Sequence, residues 1–353
     1  MPNAEKLPDN SKNQELPPEI NQNITINPKA YEILDVLMDG YDRNIVPYCE
    51  VVLPQELKPD SLRPGGEYHG QHEHYMYFWN VCSYMSGRIK SDLAFKQMTA
   101  IFNERPDLFN CQILAQTDQS EIIEVLTKHR LGRQGLVAKN WTENAQKLVN
   151  EYEGDPKNLF KNEATYDDCV DKIKNDKGKG FRGFQEKMTS MIMYYFADEG
   201  LVPGLKFPPP IDFHVQRIAL ATEMITIDPN NFRKNVIFEN ALRNLFNEYI
   251  ESRKINTLHL TNAIWQLSST LCNKNIGNTS ATDRSGDRLA STYEKIDPNN
   301  MRHAESWRRS CGRCILSAYC RHYVPSGTYY TQGVIQLVDK TVTEFATQVS
   351  LFD

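Results

Sequence analysis

The 353-residue chain is long enough for two domains, or for one large core with extensions. It is 40% apolar and 24% charged, has no uncharged apolar run of about 18 residues, and opens on MPNAEKLPDNSKNQELPPEINQN without an apolar leader core, so a membrane or secreted protein is not expected. The formal net charge of −5 disfavours broad polyanion binding, and in an intracellular chain the eight cysteines are thiols or metal ligands rather than disulfides.

In chain order, residues 1–28 are rich in Pro, Asn, Glu and Lys and read as a disordered tail. Residues 29–95 form an N-terminal extension of unknown role, interrupted by Pro47, Pro54, Pro59, Pro64 and the Gly65-Gly66 pair. Within it, HGQHEHYMYFW places His69, His72 and His74 beside several aromatics, a polar entry to an aromatic helix more often than a metal site. From Tyr75 the apolar residues recur at spacings of three and four, predicting helices over YFWNVCSYMSGRI, DLAFKQMTAIF, EIIEVLTKHRL, TENAQKLVNEY, EKMTSMIMYYFA, HVQRIALATEM, FENALRNLFNEYI and LTNAIWQLSSTL. No convincing period-two run is present, so the fold class expected is all-α. A first helical lobe over 96–205 is followed, after PGLKFPPP, by a second over 206–322 carrying a polar inserted loop at 273–310. Residues 323–353 are a C-terminal extension in which VDKTVTEFATQV could form a helix.

Charge is uneven along this acidic chain. Residues 172–187 hold six basic and two acidic side chains, and residues 301–322 hold five arginines and one acid. Two such clusters suit a phosphate-gripping face, or two solvated stretches.

Cys311, Cys314 and Cys320 stand in CGRCILSAYC with the spacing C-x2-C-x5-C, and Cys272 at the end of LTNAIWQLSSTLC is the natural fourth ligand. Thiolates two residues apart can grip one metal centre from a single turn. An iron–sulfur cluster is favoured over zinc, because zinc ribbons pair two short C-x2-C knuckles. Cys49, Cys82, Cys111 and Cys169 read as small buried side chains.

In FRGFQEKMTSMIMYYFA a glycine turn opens a helix with Lys187 near its start. That end offers backbone N–H groups and a positive dipole to a phosphate, and disfavours an ammonium, which suits a nucleophilic amine. Taken alone, a surface lysine is the commoner outcome. Asp212, in IDFHVQRIAL after the three prolines, reads as an N-cap, and His214 in the first turn as structural.

These segments in this order resemble the helix-hairpin-helix DNA glycosylases, specifically the endonuclease III branch. FRGFQEKMTS is similar to the family's hairpin L-P-G-V-G-R-K-T-A, IDFHVQRI to V-D-T-H-I-x-R-V, and LCNK followed by CGRCILSAYC to the four-cysteine cluster loop. ILAQTDQS resembles L-L-S-A-Q-A-T-D, and GLVAKNWTENAQKLVNEYEG resembles G-L-x-x-x-K-A-E-N-I. The likeness runs from about Ile101 to Cys320. It implies a two-lobed fold with a C-terminal [4Fe–4S] cluster on Cys272, Cys311, Cys314 and Cys320. It further implies Lys187 as the Schiff-base nucleophile, Asp212 as the catalytic aspartate, and Gln116 as the residue filling the gap left by an extruded base. Lys179, Arg182, Gly183, Gln185, His214, Arg308 and Arg309 are then the candidate DNA contacts. The partner expected is double-stranded DNA with a damaged or modified base, the activity that of a bifunctional glycosylase/AP lyase, and the protein an intracellular monomer, nucleoid-associated if bacterial. A monofunctional glycosylase or a catalytically silent damage binder are the alternatives.

Three features depart from the family pattern. Gln185 stands at the hairpin's second glycine, where a positive φ would strain it. Lys187 and Asp212 are 25 residues apart, and 38 residues separate Cys272 from Cys311.

Overall fold

The computed structural model describes residues 24–70, 91–160, 165–175, 178–227, 235–272, 281–282, 288–289, 301–320, 328–331 and 334–337. These are mostly helical. Helices α1 Ala30–Asp42, α2 Ser91–Glu104, α3 Cys111–Leu114, α4 Gln119–Lys128, α5 Gln134–Tyr152 and α6 Tyr166–Ile173 precede the hairpin turn, and α7 Glu186–Asp198, α8 Phe213–Ala221, α9 Asn235–Arg253, α10 Thr257–Thr270 and α11 Met301–Arg309 follow it. The helix expected over YFWNVCSYMSGRI and the one considered over VDKTVTEFATQV lie outside the described residues.

Local chemistry sets the helix ends. Asp118 caps α4 by accepting from the Ser120 N–H at 2.7 Å, Asn256 caps α10 through the Leu258 N–H at 2.9 Å, and Thr165 with Asp168 forms a reciprocal capping box on α6. Helix α5 stops where Glu153 and Gly154 turn left-handed and the Gly154 N–H returns to the Leu148 carbonyl at 2.8 Å.

Two apolar cores result. The first is contiguous in sequence from Leu62 to Phe207 and centres on Phe95, Phe102, Phe109, Trp141, Phe181 and Phe196, all essentially inaccessible. Truncating one such aromatic to alanine costs about 3–5 kcal/mol. The second core joins Ile33, Leu34 and Leu37 of α1 to Val215, Leu245, Phe246 and Leu267 of α8, α9 and α10. The chain thus contributes its first helix to its last lobe: Asp35 binds the Tyr249 hydroxyl at 2.9 Å and Arg253 at 2.7 Å, fixing α1 along α9. The segment expected to be an extension of unknown role therefore supplies a wall of the second core.

The predominance of helix agrees with the expected all-α class, and the strands among the described residues are short. β1 Ile24–Ile26 pairs antiparallel with β2 Ile225–Ile227, in the register Ile24↔Ile227. β3 Ala281–Thr282, β4 Arg288–Leu289, β5 Thr328–Thr331 and β6 Val334–Leu337 form a four-stranded sheet in that order, with Arg288 opposite Tyr330. The span 273–310, expected as a loop, therefore carries two strand fragments and α11. Runs of two to four residues are too short for a period-two signal to register.

Candidate functional site

Helices α6 and α7 are joined by a glycine-rich hairpin. Gly178 and Gly183 have φ of 83° and 84°, and a Cβ on Gly180 would lie 1.9 Å from the Lys174 carbonyl oxygen, so these positions require glycine. Phe181 and Phe184 turn into the first core, the Phe181 N–H donates to the Ile173 carbonyl at 2.9 Å, and Asn144 brackets Arg182 with two hydrogen bonds of 2.7 and 3.0 Å. Gln185 corrects the strain expected of it: at φ −123° and ψ 176° it is ordinary extended backbone, the residue at which the chain enters α7. The left-handed position belongs to Gly183.

Lys187 sits in the first turn of α7. From α7 the chain crosses between cores through PPP: Phe207 is buried in the first core and Ile211 in the second. A three-proline segment is a stiff spacer of about 3.1 Å per residue, so it fixes where Asp212 falls. Asp212 caps α8, its Oδ1 accepting from the His214 and Val215 N–H groups at 2.9 and 3.1 Å. Burial pushes its carboxyl above the usual carboxylate range, opposed by the charge of Lys187, the two backbone N–H groups and Arg217.

Lys187 and Asp212 line one open cleft at the junction of the two cores. Its wall includes Met191 and Tyr195 of α7, Val215 of α8, and Trp265 of α10. Leu53, Pro54 and Gln55, from the segment preceding α2, line it as well. Beside Lys187, Arg243 of α9 pairs with Glu186 at 3.0 Å and with Glu239 at 3.5 Å. Burial raises the Glu239 carboxyl, with Arg243 and Lys187 opposing and Glu186 adding to the rise. An amine at a helix start, faced by a buried carboxyl and bordered by an aromatic ring, can attack an electrophilic carbon and pass protons locally.

The other expected residues are distributed as follows. Gln116 is exposed on the turn between α3 and α4 and does not line the cleft. Lys179, Arg182 and Gln185 are exposed on the hairpin, where Arg182 is paired with Glu143 at 2.6 Å. Arg308 and Arg309 are exposed at the end of α11, Arg309 paired with Glu305 one turn back. His214 is a correction. It is 7% exposed, its Nδ1 lies 3.1 Å from the Ser268 hydroxyl, and its ring meets Trp265 edge-on, so it ties α8 to α10 instead of facing outward.

Cys272, Cys311 and Cys320 all lie close enough to Cys314 for their charges to interact, and Arg217 of α8 acts on Cys272 as well. As a thiol, Cys272 is pushed up to about 11 by burial, and burial also lifts Cys314 well above its usual value. Among the described residues, no three His, Cys, Asp or Glu side chains are gathered to hold a single metal ion. The cysteine loop docks on α1: Leu316 enters the second core, Ile315 abuts Gly40, Arg313 pairs with Glu50 at 2.5 Å, and the Tyr319 hydroxyl donates to Glu32 at 2.7 Å. Of the remaining cysteines, Cys111 and Cys169 are buried as expected; Cys49 is exposed, because the three-residue turn that carries it buries Tyr48 instead, and Cys82 lies outside the described residues. His72 and His74 also lie outside them, whereas His69 is exposed.

Gln55, Tyr194, Glu239, Arg243, Asn262 and Trp265 escaped the sequence reading. Asn262 and Trp265 lay inside an apolar helix pattern that reads as core, and Gln55 adjoins the cleft only through folding.

Among the described residues no helix is long and apolar enough to cross a membrane. No protein-family model and no curated protein matches the chain.

Proposed function

We propose that this protein is a DNA glycosylase with AP lyase activity, excising a damaged or modified base from double-stranded DNA by base flipping and Schiff-base chemistry on Lys187. The observation that carries this reading is the meeting of Lys187 and Asp212 in one cleft at the junction of two cores, although 25 residues part them in sequence. The cleft is bordered by Trp265 and apolar side chains, an environment suited to a base removed from its stack.

In this reading the Lys187 amine attacks C1′ as the glycosidic bond breaks, and that bond's electron pair leaves with the base, which takes up a proton. Asp212, ionised, offsets positive charge on the sugar and receives the proton that Lys187 sheds. The C1′–O4′ bond then breaks, its electron pair going to O4′, which takes up a proton as the Schiff base forms; loss of a C2′ proton lets β-elimination break the C3′–O bond and release the 3′ phosphate. The exposed hairpin with Lys179 and Arg182, and Arg308 and Arg309 on α11, are the groups offered to the phosphates.

The four cysteines suit a [4Fe–4S] cluster. What supports this reading is that Cys314 lies within electrostatic reach of Cys272, Cys311 and Cys320, and that four thiolates are the usual donor set of such a cluster. The cluster would supply a cationic core that holds Cys272, Cys311, Cys314 and Cys320 as thiolates and so orders the loop against α1.

Borohydride reduction on an abasic duplex tests the proposal. A covalent adduct that Lys187→Ala abolishes is the expected result. No adduct from folded protein, together with release of no base from duplexes bearing uracil, 5-hydroxymethyluracil or thymine glycol, refutes it.

A further inference from the structure

The cleft that Lys187 and Asp212 line also holds two buried amides joined through a tyrosine. The Gln55 Nε2–H donates to the Tyr194 hydroxyl oxygen at 2.5 Å, and that hydroxyl donates to Asn262 Oδ1 at 2.5 Å. Gln55 is 5% exposed and Asn262 7%, and both line the cleft. Their positions are over-determined. Gln55 also approaches Asp198 at 3.4 Å, and Lys58, three residues on, binds Glu199 at 2.6 Å, so residues 55–58 are clamped along the end of α7. Asn262 makes a second, long contact of 3.5 Å to the Tyr41 hydroxyl.

The chain of hydrogen bonds fixes which atoms are left over. Tyr194 has spent its proton on Asn262 and receives one from Gln55. Among the described residues, no hydrogen bond engages the Gln55 carbonyl, and Asn262 retains an N–H beyond the long Tyr41 contact. One acceptor and one donor thus remain on the two amides that flank the Tyr194 hydroxyl, in a cleft whose lining also includes Leu53, Pro54, Met191 and Trp265. Buried amides are costly to leave unpaired and are matched by a ligand edge of opposite polarity.

Resting on the glycosylase reading, we infer that Gln55 and Asn262 read the Watson–Crick edge of the extruded base. The edge they select is neutral and offers an N–H beside a carbonyl, as in uracil- and thymine-derived bases. The Gln55 carbonyl accepts the ring N3–H, the Asn262 amide donates to the adjacent carbonyl, and Trp265 borders the ring. An amide held rigidly at a ligand's donor rejects an analogue lacking that donor by several powers of ten, because its own polar group is left unpaired. The segment that supplies Gln55 precedes the stretch of the chain, from about Ile101, that resembles the glycosylases.

The test compares base release from duplexes carrying uracil, 5-hydroxymethyluracil or thymine glycol with release from a duplex carrying N3-methyluracil, whose ring donor is blocked. Methylation weakens pairing and so eases extrusion, yet release is expected to fall by at least ~100-fold. In Gln55→Leu and Asn262→Leu, release of the unmethylated base should fall ~100-fold further than borohydride trapping on an abasic duplex does, and the discrimination against N3-methyluracil should collapse. Equal release of the methylated and unmethylated bases overturns the inference, as does abasic trapping without release of any of the three bases. Absence of both trapping and release counts against the glycosylase reading itself.

Discussion

Replacing Asp212 by asparagine separates the two tasks that this side chain carries. Its Oδ1 satisfies two backbone N–H groups at the start of α8 at 2.9 and 3.1 Å, and an asparagine oxygen can accept the same pair. Asparagine and aspartate are equivalent caps, whereas alanine loses about 1 kcal/mol. In a chain this size that is roughly 2 °C of melting temperature. The carboxyl is raised above its ordinary range by burial, so ionising it costs the folded state free energy. Stability tied to a raised carboxyl is fully present below the unfolded value and is lost as pH rises through the folded one. Asp212→Asn should therefore melt at or above the parent at pH 8, and the difference should vanish as pH falls below the ordinary carboxylate range. Asp212→Ala should melt below Asp212→Asn at every pH. Base release should drop about 10²-fold or more in both variants, the usual contribution of a positioned proton acceptor. In the parent, the acid limb of the rate profile should lie above the ordinary carboxylate range. Thermal melting with gel-resolved strand cleavage across pH reads all of these. An asparagine variant that is several degrees less stable, or that releases base at the parental rate, refutes the assignment.

The hairpin supports a paired prediction. Gly183→Ala should destabilise by about 1 kcal/mol or more, because φ is 84° there, whereas Gln185→Gly should cost under about 1 kcal/mol, because φ is −123°; chemical denaturation midpoints distinguish them. The proposed cluster predicts iron and a visible charge-transfer absorbance in the purified protein, both of which Cys320→Ser or Cys272→Ser should abolish, measured by metal analysis and spectroscopy. Iron retained at four atoms per chain in both variants would contradict the ligand set.

Helix positions were legible where apolar spacing is regular over about three turns, as in EIIEVLTKHRL and LTNAIWQLSSTL; the eight-residue α6, opened by the Thr165–Asp168 box, is too short and polar for that pattern and was passed over. The Lys187–Asp212 pair was legible only through resemblance, since a lysine in a first turn and an aspartate before a helix are each commonplace. What brings them together is the PPP crossing from one core to the other, a tertiary event. Gln55 left no trace in the pattern, because its place depends on Tyr194 and Asn262, 139 residues and more away. The role of α1 was hidden for the same reason. The helical pattern read from Tyr75 onward passes over α1 altogether, and only its ties to α9 and the cysteine loop give it a place. The polarity of 273–310 concealed α11, whose surface is held by an i,i+4 pair of Glu305 and Arg309 instead of an apolar face.

The docking of the cysteine loop on α1 can be tested at a single contact. Gly40 lies inside α1, where alanine would ordinarily gain about 1 kcal/mol of helix stability. Here a Cβ would stand 2.3 Å from Ile315 Cδ1 and 3.4 Å from its Cγ2. Overpacking of that kind costs about 1–3 kcal/mol, so Gly40→Ala should be neutral or destabilising despite the better helix former. The clash falls on one terminal methyl, so its removal should relieve it. Ile315→Val alone should cost no more than about 1 kcal/mol at this partly exposed site, but combined with Gly40→Ala it should restore the helix gain. The double-mutant cycle should show a favourable coupling of about 1 kcal/mol. Additive behaviour would mean that α1 and the loop are not in contact, and the N-terminal helix would then have no part in holding Cys314 and Cys320 in place.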